Sequence, residues 1–157
     1  MDFDAAKAVN YFQKQVAEHY ADFSGRVSRR DFWTYVAVYV CIAIIVAILQ
    51  GIIGLGLLSL FQLLLLLPTA GITARRLQDT GRNGSLVWIL IIPVLISSVV
   101  TFLPAMSFAF VSLFFIVLPL MGIVALLSLA AAIFLIYLCV QPGTPGPNVF
   151  GPQPVMI

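Results

Sequence analysis

Two stretches of this chain, residues 32 to 74 and 86 to 140, contain no Asp, Glu, Lys or Arg, and nothing else in the sequence constrains the fold as strongly. Each is longer than the roughly 20 apolar residues that a bilayer-crossing helix requires. Composition points the same way: 62% of residues are hydrophobic and 9% charged, against roughly 45–50% and about 25% in a soluble domain. The chain therefore reads as an integral membrane protein. About thirty mixed polar residues precede the first apolar run and no small-x-small cleavage pattern follows it, so the first span is expected to remain in the protein rather than leave as a signal peptide.

Turn and cap signals divide the apolar runs. In "AAKAVNYFQKQVAEHYADF", residues 5 to 23, Ala5, Val9, Phe12, Val16, Tyr20 and Phe23 recur at steps of three and four, which predicts an amphipathic helix with Asp4 as its amino cap. Its apolar face is expected in the headgroup layer or against the protein's own cytoplasmic end. Ser28 and Asp31 form a capping-box pattern ahead of the next helix. Gly51, Gly54 and Gly56 break the first apolar run. Pro104 to Ser107 mark a turn in the second, and Pro93 is expected to kink the helix that contains it. The predicted fold class is an all-α integral membrane protein with four transmembrane helices as two hairpins, preceded by an amphipathic interfacial helix in residues 1–24. The four spans lie at about 32–50, 57–73, 86–103 and 108–140 in a membrane domain of residues 25–140. A second reading of residues 86–140, one span plus a re-entrant segment, stays open. The tail, residues 141–157, is rich in Pro and Gly and uncharged. It is expected to tuck back through Val149 and Phe150 or to dock on another protein.

Arginine placement sets the expected orientation. Arg26, Arg29 and Arg30 precede the first span and Arg75, Arg76 and Arg82 lie between the second and third, while no charged residue follows Arg82. Basic residues stay on the cytoplasmic side, so the amino terminus is expected there, in a multi-pass protein of the inner (plasma) membrane. Trp33 and Trp88 fall at span entrances and are expected as interfacial anchors.

Three motifs resemble those of a bacterial inner-membrane family, domain of unknown function 805. They are "FSGRVSRRDFW" before the first span, "ARRLQDTGRNG" before the third, and "PGTPGPNVFGPQP" in the tail, which together extend from Phe23 to Pro154. The chain departs from the family's usual pattern in having Gln78 in place of a histidine, Asn83-Gly84-Ser85 in place of Ser-Gly-Trp, and Gly146-Pro147-Asn148 in place of Gly-Glu-Asn. The resemblance implies a small four-helix membrane protein and brings no established reaction, cofactor or substrate.

The two charged clusters carry whatever chemistry the chain has. Asp79 stands four after Arg75, three after Arg76 and three before Arg82, so a helix continuing past Leu77 pairs it with Arg75 or Arg76, with Arg82 closing on the same carboxylate after a glycine turn. Cross-pairs of Asp31 with Arg76 or Arg82, and of Asp79 with Arg29 or Arg30, are expected if the clusters share one surface. Ser24-Gly25-Arg26 and Thr80-Gly81-Arg82 echo one another, consistent with such a meeting. No Walker pattern, metal-ligand set or paired catalytic carboxylates occur, so no enzyme, cofactor or nucleic-acid partner is expected. Cys41 and Cys139 fall in spans as small hydrophobes, and His19 reads as a solvated side chain.

The expected role is that of an accessory or scaffold protein, its arginine-rich face binding anionic headgroups, a protein partner or a second copy of the chain. The alternative is a small oligomeric transporter or pore with a polar path along Gln62, Ser97, Ser98, Thr101 or Ser128. A third reading is a sensor of a phosphate-bearing ligand at the connector.

Overall fold

A computed structural model of the chain describes residues 4–53, 57–102 and 111–155, with side chains described except at 57–60, 97–102 and 111–118. The described residues form five α-helices and no strand: α1 (Ala5–Glu18), α2 (Arg29–Ile53), α3 (Leu57–Asp79), α4 (Trp88–Phe102) and α5 (Val111–Val140), with a single 3-10 turn over Gly84–Val87 ahead of α4. Gly54, Gly56 and the expected turn at Pro104 to Ser107 lie outside the described residues. Two helices, Arg29–Ile53 and Pro119–Val140, are long and apolar enough to cross a membrane. The chain divides into two units, residues 1–84 with 139–157 and residues 85–138.

In the first unit α1 packs on α2 and α3, and α2 on α3. Asp4 caps α1 through its side chain, which accepts from the amides of Ala6 and Lys7. The helix ends at Glu18, not Phe23. Beyond it the Asp22 amide donates to the His19 carbonyl, His19 Nδ1 lies 3.2 Å from Asp22 Oδ2, and the Ser24 amide and hydroxyl both donate to Asp22 Oδ1. These local bonds compete with helix continuation. The buried face of α1 is Ala8, Phe12 and Gln15, while Val9 is 45% exposed. The stripe is rotated from the expected one because Gln15 is drawn inward by a charged partner, Arg75. Phe12 stacks on Tyr35 of α2 with ring centroids 4.9 Å apart, and Tyr39 stacks on Phe61 of α3 at 5.5 Å.

Burial is concentrated at the arginine end. Phe32 and Tyr35 of α2 and Leu65, Ala70, Ile72, Ala74 and Leu77 of α3 are buried, whereas Ile44, Ile45, Ile48, Leu49, Ile52 and Ile53 at the other end of α2 are exposed. An apolar surface of that kind suits lipid. Pro68 lies inside α3 and lacks an amide hydrogen, which leaves the Leu64 carbonyl without its helical donor. The Tyr20 hydroxyl supplies one at 2.7 Å.

In the second unit, Pro93 lies inside α4 and Pro119 inside α5. The Ser128 hydroxyl bonds to the Val124 carbonyl of its own helix. Among the described residues Gly122 has open space around it, and Ala125 is exposed.

Candidate functional site

The site is built on the carboxy end of α3. Helix α3 stops where Gly81 adopts φ +77°; the Arg82 amide donates to the Leu77 carbonyl and the Gly81 amide to the Gln78 carbonyl. This is a Schellman closure, whose left-handed position glycine fills without a Cβ penalty. Because the helix persists to Asp79, Arg76 and Asp79 share one face one turn apart and pair directly.

Arg26 completes the arrangement from 53 residues away in sequence. Its Nε lies 3.0 Å and its Nη2 2.9 Å from Asp79 Oδ1, while Arg76 Nη1 takes Oδ2. All three side chains are withdrawn from solvent, with 1% of Arg26, 5% of Asp79 and 0% of Arg76 exposed. The other bonds of the two guanidiniums go to backbone carbonyls, with one from Arg26 Nη2 to Thr144 Oγ1 at 3.3 Å. Arg76 Nε donates to Cys139 and Nη2 to Gln141, whereas Arg26 Nη2 donates to Thr144 at 2.6 Å and Nη1 to Gly146 at 2.6 Å and Gly151 at 3.3 Å. The tail is bound in return: the Thr144 amide donates to the Asp79 carbonyl at 2.8 Å, and Asn148 Nδ2 to that of Gln78 at 2.9 Å.

Arg75 forms a neighbouring node. Its Nη2 donates to Gln15 Oε1 at 2.6 Å, its Nε to the Gly71 carbonyl at 3.4 Å, and its Nη1 lies 3.9 Å from Asp22 Oδ2. Burial pulls the Arg75 and Arg76 guanidiniums below the ordinary arginine value, opposed by the Asp22 and Asp79 carboxylates respectively. Both remain cationic, since arginine titrates far above neutrality. The segment that carries Arg26 is clamped against α3: Gln78 Nε2 donates to the Phe23 carbonyl, the Val27 amide to that of Arg75, and a Cβ at Gly71 would stand 2.7 Å from the Asp22 carbonyl oxygen.

Several expected pairs are replaced. Arg82 does not close on Asp79; its Nη2 reaches Gln141 Oε1 at 3.2 Å, because Arg26 already holds Oδ1 and the closure at Gly81 turns the chain away from the carboxylate. Asp31 pairs with neither Arg76 nor Arg82. It is buried beside the helix cap Ser28, its amide donating to Ser28 Oγ at 3.2 Å and its carboxylate accepting from that hydroxyl at 2.8 Å. Arg29 and Arg30 do not meet Asp79. They are exposed in the first turn of α2, and neither has a carboxylate within ion-pair distance among the described residues. The clusters do meet, through Arg26. Trp33 is half-buried with its ring edge-on to Phe32, and Trp88 is 43% exposed. The tail is held by Thr144, Gly146 and Asn148 rather than by Val149, which is 91% exposed. Gln62, on α3, is exposed, and the side chains of Ser97, Ser98 and Thr101 lie outside the described residues.

Sequence reasoning missed Gln15, Asp22, Gly143 and Thr144. Gln15 carried a signal, being a polar residue at the seventh position after Ala8 on one helical face. Gly143 carried none, because what it contributes is main chain, and the Thr144 hydroxyl, which accepts from Arg26 Nη2 at 3.3 Å and donates to the Asp79 carbonyl at 3.0 Å, lies too far along the chain for a local rule to place it.

A chain whose described residues form helices and no strand, two of those helices long and apolar enough to cross a membrane, with a polar junction gathered at the end of one hairpin, is an α-helical membrane protein. The sequence pattern of the family described as "Protein of unknown function (DUF805)" matches residues 20–152, and the chain belongs to that family. It is 35% identical over 81 residues to inner membrane protein YhaI of Escherichia coli, covering 50% of this chain and 69% of that protein. It is 26% identical over 147 residues to inner membrane protein YhaH of the same organism, covering 89% and 93% respectively. The uncharacterized protein YiiR, also of Escherichia coli, is 32% identical over 72 residues, or 45% of this chain and 49% of that protein. No solved structure matches. The relatives and the apolar helices together make this an inner membrane protein.

Proposed function

We propose that the protein is an accessory component of the inner membrane that crosses it four times, with amino terminus and tail in the cytoplasm, and that its exposed arginines bind anionic headgroups. The observation that carries this reading is a division of labour among six arginines. Arg26, Arg75 and Arg76 are committed to buried partners, whereas Arg29, Arg30 and Arg82 are exposed and free of carboxylates among the described residues. Two cations in the first turn of α2 oppose the positive end of that helix's dipole, and an anionic headgroup beside them relieves that opposition. Catalysis is no part of the reading; the clasp spends its only carboxylate on two arginines.

The tail contacts support the topology. Arg26, ahead of α2, bonds to Thr144 and Gly146 beyond α5, so both segments occupy one side of the bilayer. The chain leaves this unit at Gly84 and returns at Cys139, which favours an even number of crossings in between. Two spans there and two in the α2/α3 hairpin make four.

Near a membrane each basic residue contributes about 1 kcal/mol of attraction to anionic lipid. Arg29→Ala/Arg30→Ala therefore lowers the preference for anionic over zwitterionic lipid about thirtyfold. Mass spectrometry of lipids that co-purify in nanodiscs checks it, with thermal unfolding of the same sample unchanged. Retention of anionic lipid at the wild-type level refutes headgroup binding by these residues.

A further inference from the structure

The clasp holds two buried guanidiniums, Arg26 and Arg76, against one buried carboxylate, Asp79. One positive charge is left over, and the groups that meet it are neutral: the Thr144 hydroxyl and the carbonyls of Cys139, Gln141, Thr144, Gly146 and Gly151. A carbonyl meets a guanidinium with a dipole only, whereas an oxyanion brings an opposite charge and can accept a bidentate pair, and a buried cation without a counterion is the costly case. The strap that supplies most of these carbonyls, residues 141–151, is attached almost wholly by polar bonds. It has no helix or strand, only a turn closed between Asn148 and Gly151. Its prolines Pro142, Pro145 and Pro147 are exposed, as is Val149, and Phe150 is half-buried, so apolar burial holds it down through that one ring. It crosses directly over the carboxylate at Gly143, where a Cβ would stand 2.8 Å from Asp79 Cγ and 3.0 Å from Oδ1.

We propose that the strap is a displaceable neutral occupant of a cationic cradle formed by Arg26 and Arg76, and that a phosphate-bearing anion binds there when the strap lifts. Phosphate fits because it brings a charge of about −1.5 to −2 and several acceptor oxygens, enough to offset the excess cation and replace the carbonyls that leave. This site is separate from the exposed Arg29, Arg30 and Arg82 and does not rest on headgroup binding by them. Strap binding lowers the apparent affinity for phosphate by the fraction of time the cradle is open.

The test uses the full chain in zwitterionic nanodiscs, spin-labelled at Val149→Cys in a Cys41→Ala background. Inorganic phosphate is titrated against chloride at matched ionic strength, and a parallel series incorporates phosphatidic acid in the disc. Mobilisation of the label by inorganic phosphate but not chloride supports a site for a free ion. Mobilisation by phosphatidic acid that persists in Arg29→Ala/Arg30→Ala supports the same cradle with a lipid source. Gly143→Ala, which unseats the strap without altering a charge, is expected to lower the half-point about tenfold. Equal mobilisation by chloride reduces the effect to screening and overturns the proposal. So does a label that stays immobile with both phosphate sources, or a Gly143→Ala protein whose strap is free while its phosphate affinity is unchanged. The wild-type titration alone can reject the idea if the substituted protein fails to fold.

Discussion

Pro68 and Tyr20 offer the most direct check on how the amino-terminal segment is held to α3. A proline at position 68 cannot donate to the Leu64 carbonyl, and the Tyr20 hydroxyl does so at 2.7 Å. Tyr20→Phe keeps the ring and removes the donor. The bond itself is worth about 0.5–1.5 kcal/mol, and a carbonyl left unpaired out of water costs about 1–3 kcal/mol. Leu64 faces outward from an apolar stretch, so a loss of about 2 kcal/mol is expected. Pro68→Ala restores an amide that can serve Leu64 from within the helix. In that background Tyr20→Phe should cost about 1 kcal/mol less than in the wild type. Thermal unfolding of the four proteins in one nanodisc composition measures the coupling. Strictly additive losses would show that the tyrosine bond does not substitute for the missing amide, and the reasoning would fail.

Asp79→Asn leaves two buried guanidiniums without their carboxylate and should destabilise the protein by about 3–5 kcal/mol; a loss below about 1 kcal/mol in thermal unfolding would mean that water reaches the cluster. Gly71→Ala forces a methyl against the Asp22 backbone at 2.7 Å and should cost about 1–3 kcal/mol. Gly122→Ala, with open space around it, should be neutral or slightly stabilising because alanine is the better helix former. Burial acts to raise the Asp22 pKa, but bonds from Ser24 and His19 and the charge of Arg75 outweigh it, so Asp22 titrates below the ordinary 3.8. A carboxylate depressed on folding contributes stability that is complete above the unfolded value and lost as pH falls through the folded one. Asp22→Asn should therefore lower stability at neutral pH and flatten the decline below about pH 4, read from unfolding midpoints across an acid series.

Features governed by neighbours in sequence were legible. Asp4 as a cap, Ser28 as a cap over the Asp31 amide, and the turn at Gly81 depend on residues within a few positions, and the structure contains all three, although the Asp31 carboxylate returns to the Ser28 hydroxyl and not to the amide of a reciprocal box. The Arg76 to Asp79 pair belongs with them, since a continuing helix puts i and i+3 side by side. The choice of Arg26 over Arg29 and Arg30 was not legible. Three arginines within five positions are chemically alike, and what separates them is that α2 begins at Arg29. Helix phase then points Arg29 and Arg30 outward, while Arg26 lies on the non-helical segment clamped to α3 by Val27 and Phe23. The tail was opaque for another reason. Its contribution to the clasp is mainly carbonyl oxygen, which every residue carries, so only Gly143, where the strap passes over Asp79, marks the crossing, and glycines are common in such tails.

The concentration of polar contacts at one end follows from what a membrane does to folding specificity. In water, burying a leucine distinguishes a packed partner from solvent, but in lipid the hydrocarbon is as apolar as the partner and helix association loses that drive. The exposed isoleucines of α2 therefore say little about which helix should lie beside them. A directional network can say it. Arg26 and Arg76 draw together the segment before α2, the end of α3 and the chain beyond α5, three stretches that no local rule joins. Buried ion pairs often add little net stability, yet breaking one is severe, so the clasp penalises wrong arrangements more than it rewards the right one. Apolar exchanges along the exposed face of α2 should consequently be tolerated, whereas changes within the clasp should scatter the same helices without altering their individual content. Helical circular dichroism retained beside a lost unfolding transition is the signature that separates the two.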